Sequence, residues 1–149
     1  MYIISSCLCG VNCKYSGGNN LNHKCLDLLK EGKAVLVCPE QLGGLPTPRT
    51  PAEIQGSSEG ILNGNDKIIT KENIDVTKEF LKGAYETLHI AKLSNINKAI
   101  LKDGSPSCGV NYVYDGNFNG TKTQGKGLTA TILDKYGIDV ISDIDLEGE

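Results

Sequence analysis

Short apolar runs alternate with amphipathic stretches along most of the chain. The runs are three to six residues long and contain β-branched residues, which is typical of buried strands. Four of the runs predict the main strands of a sheet, and two shorter ones indicate small extra strands. The four are residues 1–6, 33–38, 98–101 and 138–142, and the two are 67–70 and 112–114.

Three stretches between these runs, at residues 19–30, 75–93 and 127–136, have apolar positions at helical spacing. Strands that alternate with helices indicate βαβ units and a mostly parallel sheet. The pattern therefore predicts an α/β fold, with an open, mostly parallel sheet flanked by helices. This is a Rossmann-like or flavodoxin-like three-layer sandwich. The length of 149 residues predicts a single domain over 1–149.

Two segments depart from this alternation. Residues 39–66 contain four of the five prolines and show no long periodic pattern. We interpret this segment as a stiff, ordered loop over a functional site, because long connections of this kind are usually functional or disordered. The acidic residues 143–149 are predicted to be a solvated end of the chain.

Charge and composition narrow the choice of partners. A net charge of −3 and a pI near 5.4 argue against DNA or an anionic membrane as the main partner. No apolar run approaches the ~18 residues of a membrane span, and no secretory signal pattern is visible. We therefore expect a cytoplasmic protein that acts on a small molecule. The six cysteines are then expected to be free, catalytic or metal-bound rather than paired in disulfides.

Three cysteines each follow a different predicted strand: Cys7, Cys38 and Cys108. Because the carboxyl ends of parallel strands meet at one edge of a sheet, we expect these thiols to converge. Converging thiolates favour zinc, copper(I) or an iron–sulfur cluster, and a set of three leaves one coordination position open, as an enzyme requires. The alternative is that they are small buried apolar residues at strand ends.

The other cysteines are interpreted differently. The spacing C-x-C-x3-C, formed by Cys7, Cys9 and Cys13, matches no standard metal-binding pattern. Cys9 and Cys13 are therefore interpreted as incidental or as neighbours of the ligands, with a role as fourth ligand as the alternative. Cys25 lies on the apolar stripe of its helix and is predicted to belong to the core.

Polar residues accompany the cysteines at the same predicted strand ends. Glu40 follows Cys38 by two residues and is a candidate general acid or base, with an exposed loop carboxylate as the alternative. Candidate substrate-binding groups precede Cys108, and the serines among them could instead only shape a turn. These groups are Lys102, Asp103, Ser105 and Ser107.

Arg49 is the only arginine beside fourteen lysines, and it stands between two prolines. Its planar guanidinium can form two parallel hydrogen bonds, so Arg49 is predicted to bind a carboxylate, phosphate or planar carbonyl ligand, or to anchor another loop. The stretch G-K-G-L-T-A at 125–130 opens a predicted helix whose backbone amides could bind an anion or a polar ligand. His23 and His89 are predicted to be surface or packing residues.

Four blocks of sequence, in order along nearly the whole chain, match the motifs of one bacterial family. C-L-C-G-V-N-C-K-Y-S-G-G resembles its opening C-L-x-G-x-x-C-R-Y-D-G, and V-C-P-E-Q-L-G-G-L-P-T-P-R-T-P-A-E resembles its C-P-E-x-x-G-G-L-P-x-P-R-x-P-x-E block. L-K-D-G-S-P-S-C-G and G-K-G-L-T-A-T-I-L resemble the third and fourth blocks. The family, long known as a domain of unknown function, includes the short thiouracil desulfurases.

The resemblance implies a [4Fe–4S] cluster held by Cys7, Cys38 and Cys108, whose fourth iron accepts sulfur from a thiolated pyrimidine. Such a cluster is readily lost in an aerobic preparation. The implied reaction is a non-redox, hydrolytic cleavage of the carbon–sulfur bond. By the same resemblance, Glu40 and Ser107 become candidates for proton handling and substrate positioning.

Two departures and two alternatives accompany the resemblance. Lys14 and Ser16 stand where the family has arginine and aspartate, so a contact made by that pair is in question here.

A non-catalytic iron–sulfur or zinc protein, such as a sulfur carrier or redox sensor, is the main alternative to an enzyme. The other alternative is a small-molecule-binding domain whose cysteines are only structural.

Overall fold

Eight strands and five α-helices follow one another in the computed structural model, which describes residues 1–148. In chain order they are β1 (Tyr2–Ser5), α1 (His23–Lys30), β2 (Ala34–Val37), α2 (Pro39–Leu42), β3 (Ala52–Gln55), α3 (Ser58–Leu62), β4 (Lys67–Thr70), α4 (Thr77–Leu93), β5 (Lys98–Leu101), β6 (Tyr112–Tyr114), β7 (Lys122–Gln124), α5 (Leu128–Lys135) and β8 (Asp139–Ser142). Short 3₁₀ helices cover Ser6–Cys9 and Asp143–Gly148.

The central sheet has four strands in the order β2-β1-β5-β8, and every neighbouring pair is parallel. Ile3 of β1 lies opposite Val35 of β2 on one side and Ala99 of β5 on the other. Strand β2 thus lies on one side of β1, and β5 and β8 lie on the other. The order therefore reverses between β1 and β5, and open α/β sheets bind ligands at such a point.

Helices cover both faces of this sheet, which confirms the predicted three-layer α/β architecture. Ile3 and Leu101 belong to the core on the α4 and α5 side, whereas Ile4 and Ile100 belong to a second core that includes Cys25 of α1. Burial on both faces explains why these strands are continuous apolar runs rather than alternating ones.

The predicted segment 39–66 contains more regular structure than its sequence indicates. Short helices α2 and α3 and strand β3 occupy most of it, and β3 pairs antiparallel with β4. Each element is only four or five residues long, so no periodic pattern could emerge. Buried Ile54 and Ile61 attach the segment to the core, and its longest irregular stretch is the connection between α2 and β3.

Helix α2 is seated directly on helix α4 through two glycines. A Cβ atom added at Gly43, just after α2, would overlap the carbonyl oxygen of Glu79. One added at Gly83 would overlap the carbonyl oxygen of Pro39, at the start of α2. This close backbone approach requires glycine at both positions and fixes the place of α2 at the end of β2.

The ends of two elements differ from the prediction for identifiable reasons. Helix α1 begins at His23 rather than at residue 19, because the Asn22 side chain accepts a hydrogen bond from the Cys25 amide and caps the helix. The acidic end is not simply solvated: Leu146 is buried in the α1-side core. Glu149, also part of that prediction, lies outside the described residues.

Within residues 1–148, no helix is both long and apolar enough to cross a membrane.

Candidate active site

A cavity of about 820 Å³ opens at the carboxyl edge of the central sheet. Its lining includes residues that directly follow β1, β2 and β5, the strands on either side of the order reversal. Four thiols share this lining: Cys7, Cys13, Cys38 and Cys108. The structure thus places the three cysteines that follow the strands around one space, together with one of their sequence neighbours.

Each of the three cysteines is presented by a different local structure. Cys7 lies in the 3₁₀ helix after β1, Cys38 is the N-cap residue of α2, and Cys108 lies in the loop after β5. The Ser5 hydroxyl donates to Cys108 Sγ at 3.3 Å, and the Asn20 side-chain amide donates to Cys7 Sγ at 3.4 Å. Hydrogen bonds to sulfur of this kind orient thiolates and stabilise their charge.

Cys13 lies between two of these sulfurs. A hydrogen bond from its thiol is the main cause that lowers the pKa of Cys7 and of Cys38, in both cases against burial. The same two contacts, together with burial, raise the pKa of Cys13. Burial raises the pKa of Cys108, whose ionisation therefore requires a nearby positive charge such as a metal.

Cys9 and Cys25 face away from the cavity. Both are buried in the α1-side core, and burial raises the pKa of Cys25 to about 12. The prediction that Cys25 is a core residue is confirmed. Cys9 and Cys13 belong to the same core cluster, but only Cys13 also lines the cavity. All six cysteines are free thiols, and among residues 1–148 no three His, Cys, Asp or Glu side chains are placed to share a single metal ion.

Glu40 lines the cavity and is held in place by Arg49. Arg49 Nε donates to Glu40 Oε2 at 2.7 Å, and the Arg49 and Glu40 side chains are only 7% and 15% exposed. The Ser105 hydroxyl approaches the other carboxylate oxygen, Glu40 Oε1, at 3.4 Å. The carboxylate is therefore fixed at the first turn of α2, two residues from Cys38.

Arg49 ties together three segments around the site. Beyond Glu40, its guanidinium donates to the Cys13 carbonyl at 2.8 Å, to the Thr47 hydroxyl at 2.8 Å and to the Pro46 carbonyl at 3.1 Å. Four of its five N–H groups are thus used within the protein. Of the two predicted roles, the structure shows the anchoring of other loops, and the binding of a ligand stays a prediction.

The carboxylate of Asp103 is fully engaged by the protein, although the residue borders the cavity. Its oxygens accept hydrogen bonds from the amides of Gly104, Val110, Asn111 and Tyr112 and from the Ser142 hydroxyl. Burial opposes ionisation, but these hydrogen bonds prevail and lower the pKa of Asp103. Asp103 therefore shapes the loop that carries Ser105 and Cys108, and its role in substrate binding stays a prediction.

Ser107, unlike Asp103, does not line the cavity. It is 1% exposed, and its hydroxyl shares a 2.8 Å hydrogen bond with Thr129 Oγ1 of α5. The Ser107 carbonyl accepts from the amides of Thr129 and Ala130. The prediction that the start of α5 binds an anion is therefore wrong, because these amides are occupied by the Cys108 loop.

Lys102 and Ser105 do lie at the cavity. Lys102 Nζ is 3.5 Å from a carboxylate oxygen of Asp143, and its side chain is 27% exposed. The Ser105 oxygen accepts from the amides of Ser107 and Cys108, so its own proton is available to Glu40 or to a ligand. Both remain candidate substrate-binding residues.

Several lining residues were missed at the level of sequence. Ser5 and Asn20 contact sulfur atoms, yet neither belongs to a distinctive pattern. Aromatic residues also line the cavity. The sequence contains few aromatic residues, and this scarcity was the one feature that could have drawn attention to them. They are Tyr15, Phe80, Tyr112, Tyr114 and Phe118.

An open α/β sheet with thiols and an anchored carboxylate at its strand-order reversal is typical of an α/β protein that binds a ligand at the carboxyl edge of its sheet. The 2-thiouracil desulfurase family model matches residues 2–145, so the chain belongs to this family. The uncharacterized protein YbbK of Bacillus subtilis (strain 168) is 47% identical over 147 residues, which are 98% of this chain and 97% of that protein.

A solved structure agrees with this assignment. The protein TudS, described as a [4Fe-4S]-dependent thiouracil desulfidase, matches with a TM-score of 0.88 and 39% sequence identity. The match covers 99% of this chain and 93% of the TudS chain. The predictions of fold class and of a desulfurase family are confirmed, whereas the roles of the individual site residues stay predictions.

Proposed function

We propose that the protein uses a [4Fe–4S] cluster to remove sulfur from a thiolated pyrimidine such as thiouracil, by a hydrolytic and non-redox reaction. The observation that carries this proposal is the meeting of three strand-end thiols with the anchored Glu40 in one cavity. The likeness to TudS supports the choice of cofactor and of substrate class.

The donor set fits the cluster. Thiolates are the ligands of iron–sulfur clusters, and we assign this role to Cys7, Cys38 and Cys108. Two of these sulfurs accept hydrogen bonds from Ser5 or Asn20, and two have a lowered pKa. When bound, the cluster supplies a Lewis acid that polarises the carbon–sulfur bond of the substrate.

Glu40 is the proposed general acid and base. The Arg49 hydrogen bond fixes one carboxylate oxygen, and the other faces Ser105 and the cavity. From this place Glu40 can take a proton from water as it attacks the ring carbon, and can return it to the leaving sulfur or to the ring nitrogen. Lys102 and Ser105 are proposed to hydrogen-bond the polar edge of the pyrimidine.

The first test measures cluster binding and removal of sulfur from the substrate separately. After anaerobic reconstitution, we expect iron and sulfide in a [4Fe–4S] ratio, and hydrosulfide and uracil from 2-thiouracil or 4-thiouracil. Cys7→Ser, Cys38→Ser and Cys108→Ser should lose most of the cluster. Cys9→Ser is the matched control, because it removes a cysteine two residues from Cys7 that does not line the cavity.

Glu40→Gln distinguishes an enzyme from a non-catalytic cluster protein. This variant should retain the cluster but release hydrosulfide at least 100-fold more slowly, as expected for the loss of a general acid–base group. A loaded wild-type protein that desulfurises no thiolated pyrimidine would instead support the sulfur-carrier alternative. We also propose a cytoplasmic location, which agrees with six free thiols.

A further inference from the structure

The aromatic side chains of the chain are concentrated at the cavity. The sequence contains only six tyrosines and two phenylalanines, and five of these eight residues line this one space. Three of the five, Tyr112, Tyr114 and Phe118, belong to the hairpin formed by β6, β7 and their connection. One hairpin therefore provides most of the aromatic wall.

The tip of this hairpin is fastened to β3. Glu53 Oε1 accepts hydrogen bonds from the amide of Gly116 at 2.9 Å and from that of Phe118 at 3.2 Å. The Gln55 side-chain amide donates to the Gly116 carbonyl at 2.8 Å. A Cβ atom at residue 116 would lie 2.8 Å from the Ile54 carbonyl oxygen, so the tip approaches β3 as closely as only glycine allows.

Phe118 has an unusual backbone conformation. Its φ angle is 55°, in the left-handed region that a bulky side chain rarely adopts. Such a conformation persists only where the surroundings determine it, and strained residues of this kind are concentrated at functional sites. Here the Glu53 hydrogen bond to the Phe118 amide holds the residue, and the ring lines the cavity.

We propose that Phe118 is a specificity-determining residue that limits the size of the substrate. The thiols line the cavity at the edge of the central sheet, whereas Phe118 lines it on the side formed by β3 and the hairpin. A planar pyrimidine then lies against aromatic rings, and a bulky group on its ring nitrogen meets Phe118. Glu53 acts through Phe118 as a positioning residue. This inference rests on the proposed desulfurase function.

The test compares two substrates in cluster-loaded protein: 4-thiouracil and 1-benzyl-4-thiouracil. Phe118→Ala should raise kcat/KM for the benzyl compound relative to the parent by about tenfold, because it removes the obstructing ring. It should also weaken the binding of uracil, measured by calorimetry, about fivefold through loss of aromatic contact. Glu53→Gln should shift the substrate ratio in the same direction by a smaller factor, with unchanged iron content.

Tyr85→Ala is the matched control, because it removes an exposed aromatic ring of α4 that lies outside the cavity. It should leave both the substrate ratio and uracil binding unchanged. If Phe118→Ala does not fold, Phe118→Leu provides the same comparison with a smaller expected shift. A ratio within twofold of wild type in every hairpin variant, with uracil bound equally well, would overturn the inference.

The two proposals fail in different ways. If the wild-type protein releases no hydrosulfide from 4-thiouracil, the proposed function fails, and uracil binding by wild type and Phe118→Ala still decides the role of Phe118. If wild type is active but the hairpin variants keep its substrate ratio and its affinity for uracil, only the inference about Phe118 fails. Absence of uracil binding to loaded wild type would overturn the inference as well.

Discussion

Replacing Asp103 tests the view that one buried carboxylate organises the loop that carries Cys108. Asp103→Ala removes the acceptor for four amides and one hydroxyl. A buried donor left without a partner costs about 1–3 kcal/mol. Since Asn111 is exposed and water can replace some of the bonds, two such losses give an expected destabilisation of about 2–6 kcal/mol. That is a large part of the roughly 5–15 kcal/mol that stabilises a domain.

Asp103→Asn should be milder. The amide keeps one oxygen for the backbone donors, and its NH₂ group faces the Ser142 hydroxyl, which can accept instead of donating. What is lost is mainly the charge, which strengthens a hydrogen bond by about 1 kcal/mol, and most of this loss is offset because burial disfavours the charged form. We therefore expect a loss of about 1–2 kcal/mol, measured by urea unfolding at pH 7 on the same metal-free preparation of each protein.

The pH dependence gives a second readout of the same carboxylate. The pKa of Asp103 is lower in the folded protein than in the unfolded chain, so the stability it contributes is fully present above the unfolded pKa of about 3.9. This contribution is lost as the pH falls from there toward the folded pKa. The stability difference between wild type and Asp103→Asn should therefore shrink below about pH 4. A loss below 1 kcal/mol for Asp103→Ala would refute the reasoning.

Three further substitutions test other parts of the structure. Gly83→Ala should destabilise the fold by about 1–3 kcal/mol in urea unfolding and lower kcat, because its Cβ overlaps the Pro39 carbonyl and displaces α2; a neutral result would contradict this packing. Cys25→Ser should cost about 1–3 kcal/mol without loss of iron, because a hydroxyl is buried in an apolar core; loss of the cluster would instead assign this residue to the site. Arg49→Lys should lower kcat by about 10- to 100-fold at unchanged iron content, since lysine cannot reproduce the four hydrogen bonds by which Arg49 holds Glu40 and the neighbouring loops; wild-type kinetics would show that these bonds are dispensable.

The parts of the fold that follow from hydrophobic pattern were predictable from the sequence. Strands 98–101, 67–70 and 112–114 lie where the pattern places them, because buried runs and their flanking turns set the boundaries of these strands. The gathering of Cys7, Cys38 and Cys108 around one cavity follows from the same pattern, since parallel strands bring their carboxyl ends to one edge.

The directions of individual side chains were not predictable, because they depend on loop dihedral angles. Gly10, with φ of 91°, ends the first 3₁₀ helix and turns the chain so that Cys13 borders the cavity while Cys9 stays in the core. Ser107 and Asp103 lie beside cavity residues in sequence, yet one contacts Thr129 and the other gathers backbone amides. No periodic pattern records such contacts.

Because strands distant in sequence meet at the reversal of strand order between β1 and β5, binding of the proposed cluster depends on folding of the central sheet. Its thiols come from positions 7, 38 and 108, so a nascent chain that has not yet produced β5 contains only two of the three. Any species that binds only the native arrangement stabilises it by mass action. Cluster binding would therefore follow the assembly of β1, β2 and β5, and only molecules in which these three strands are paired would retain iron.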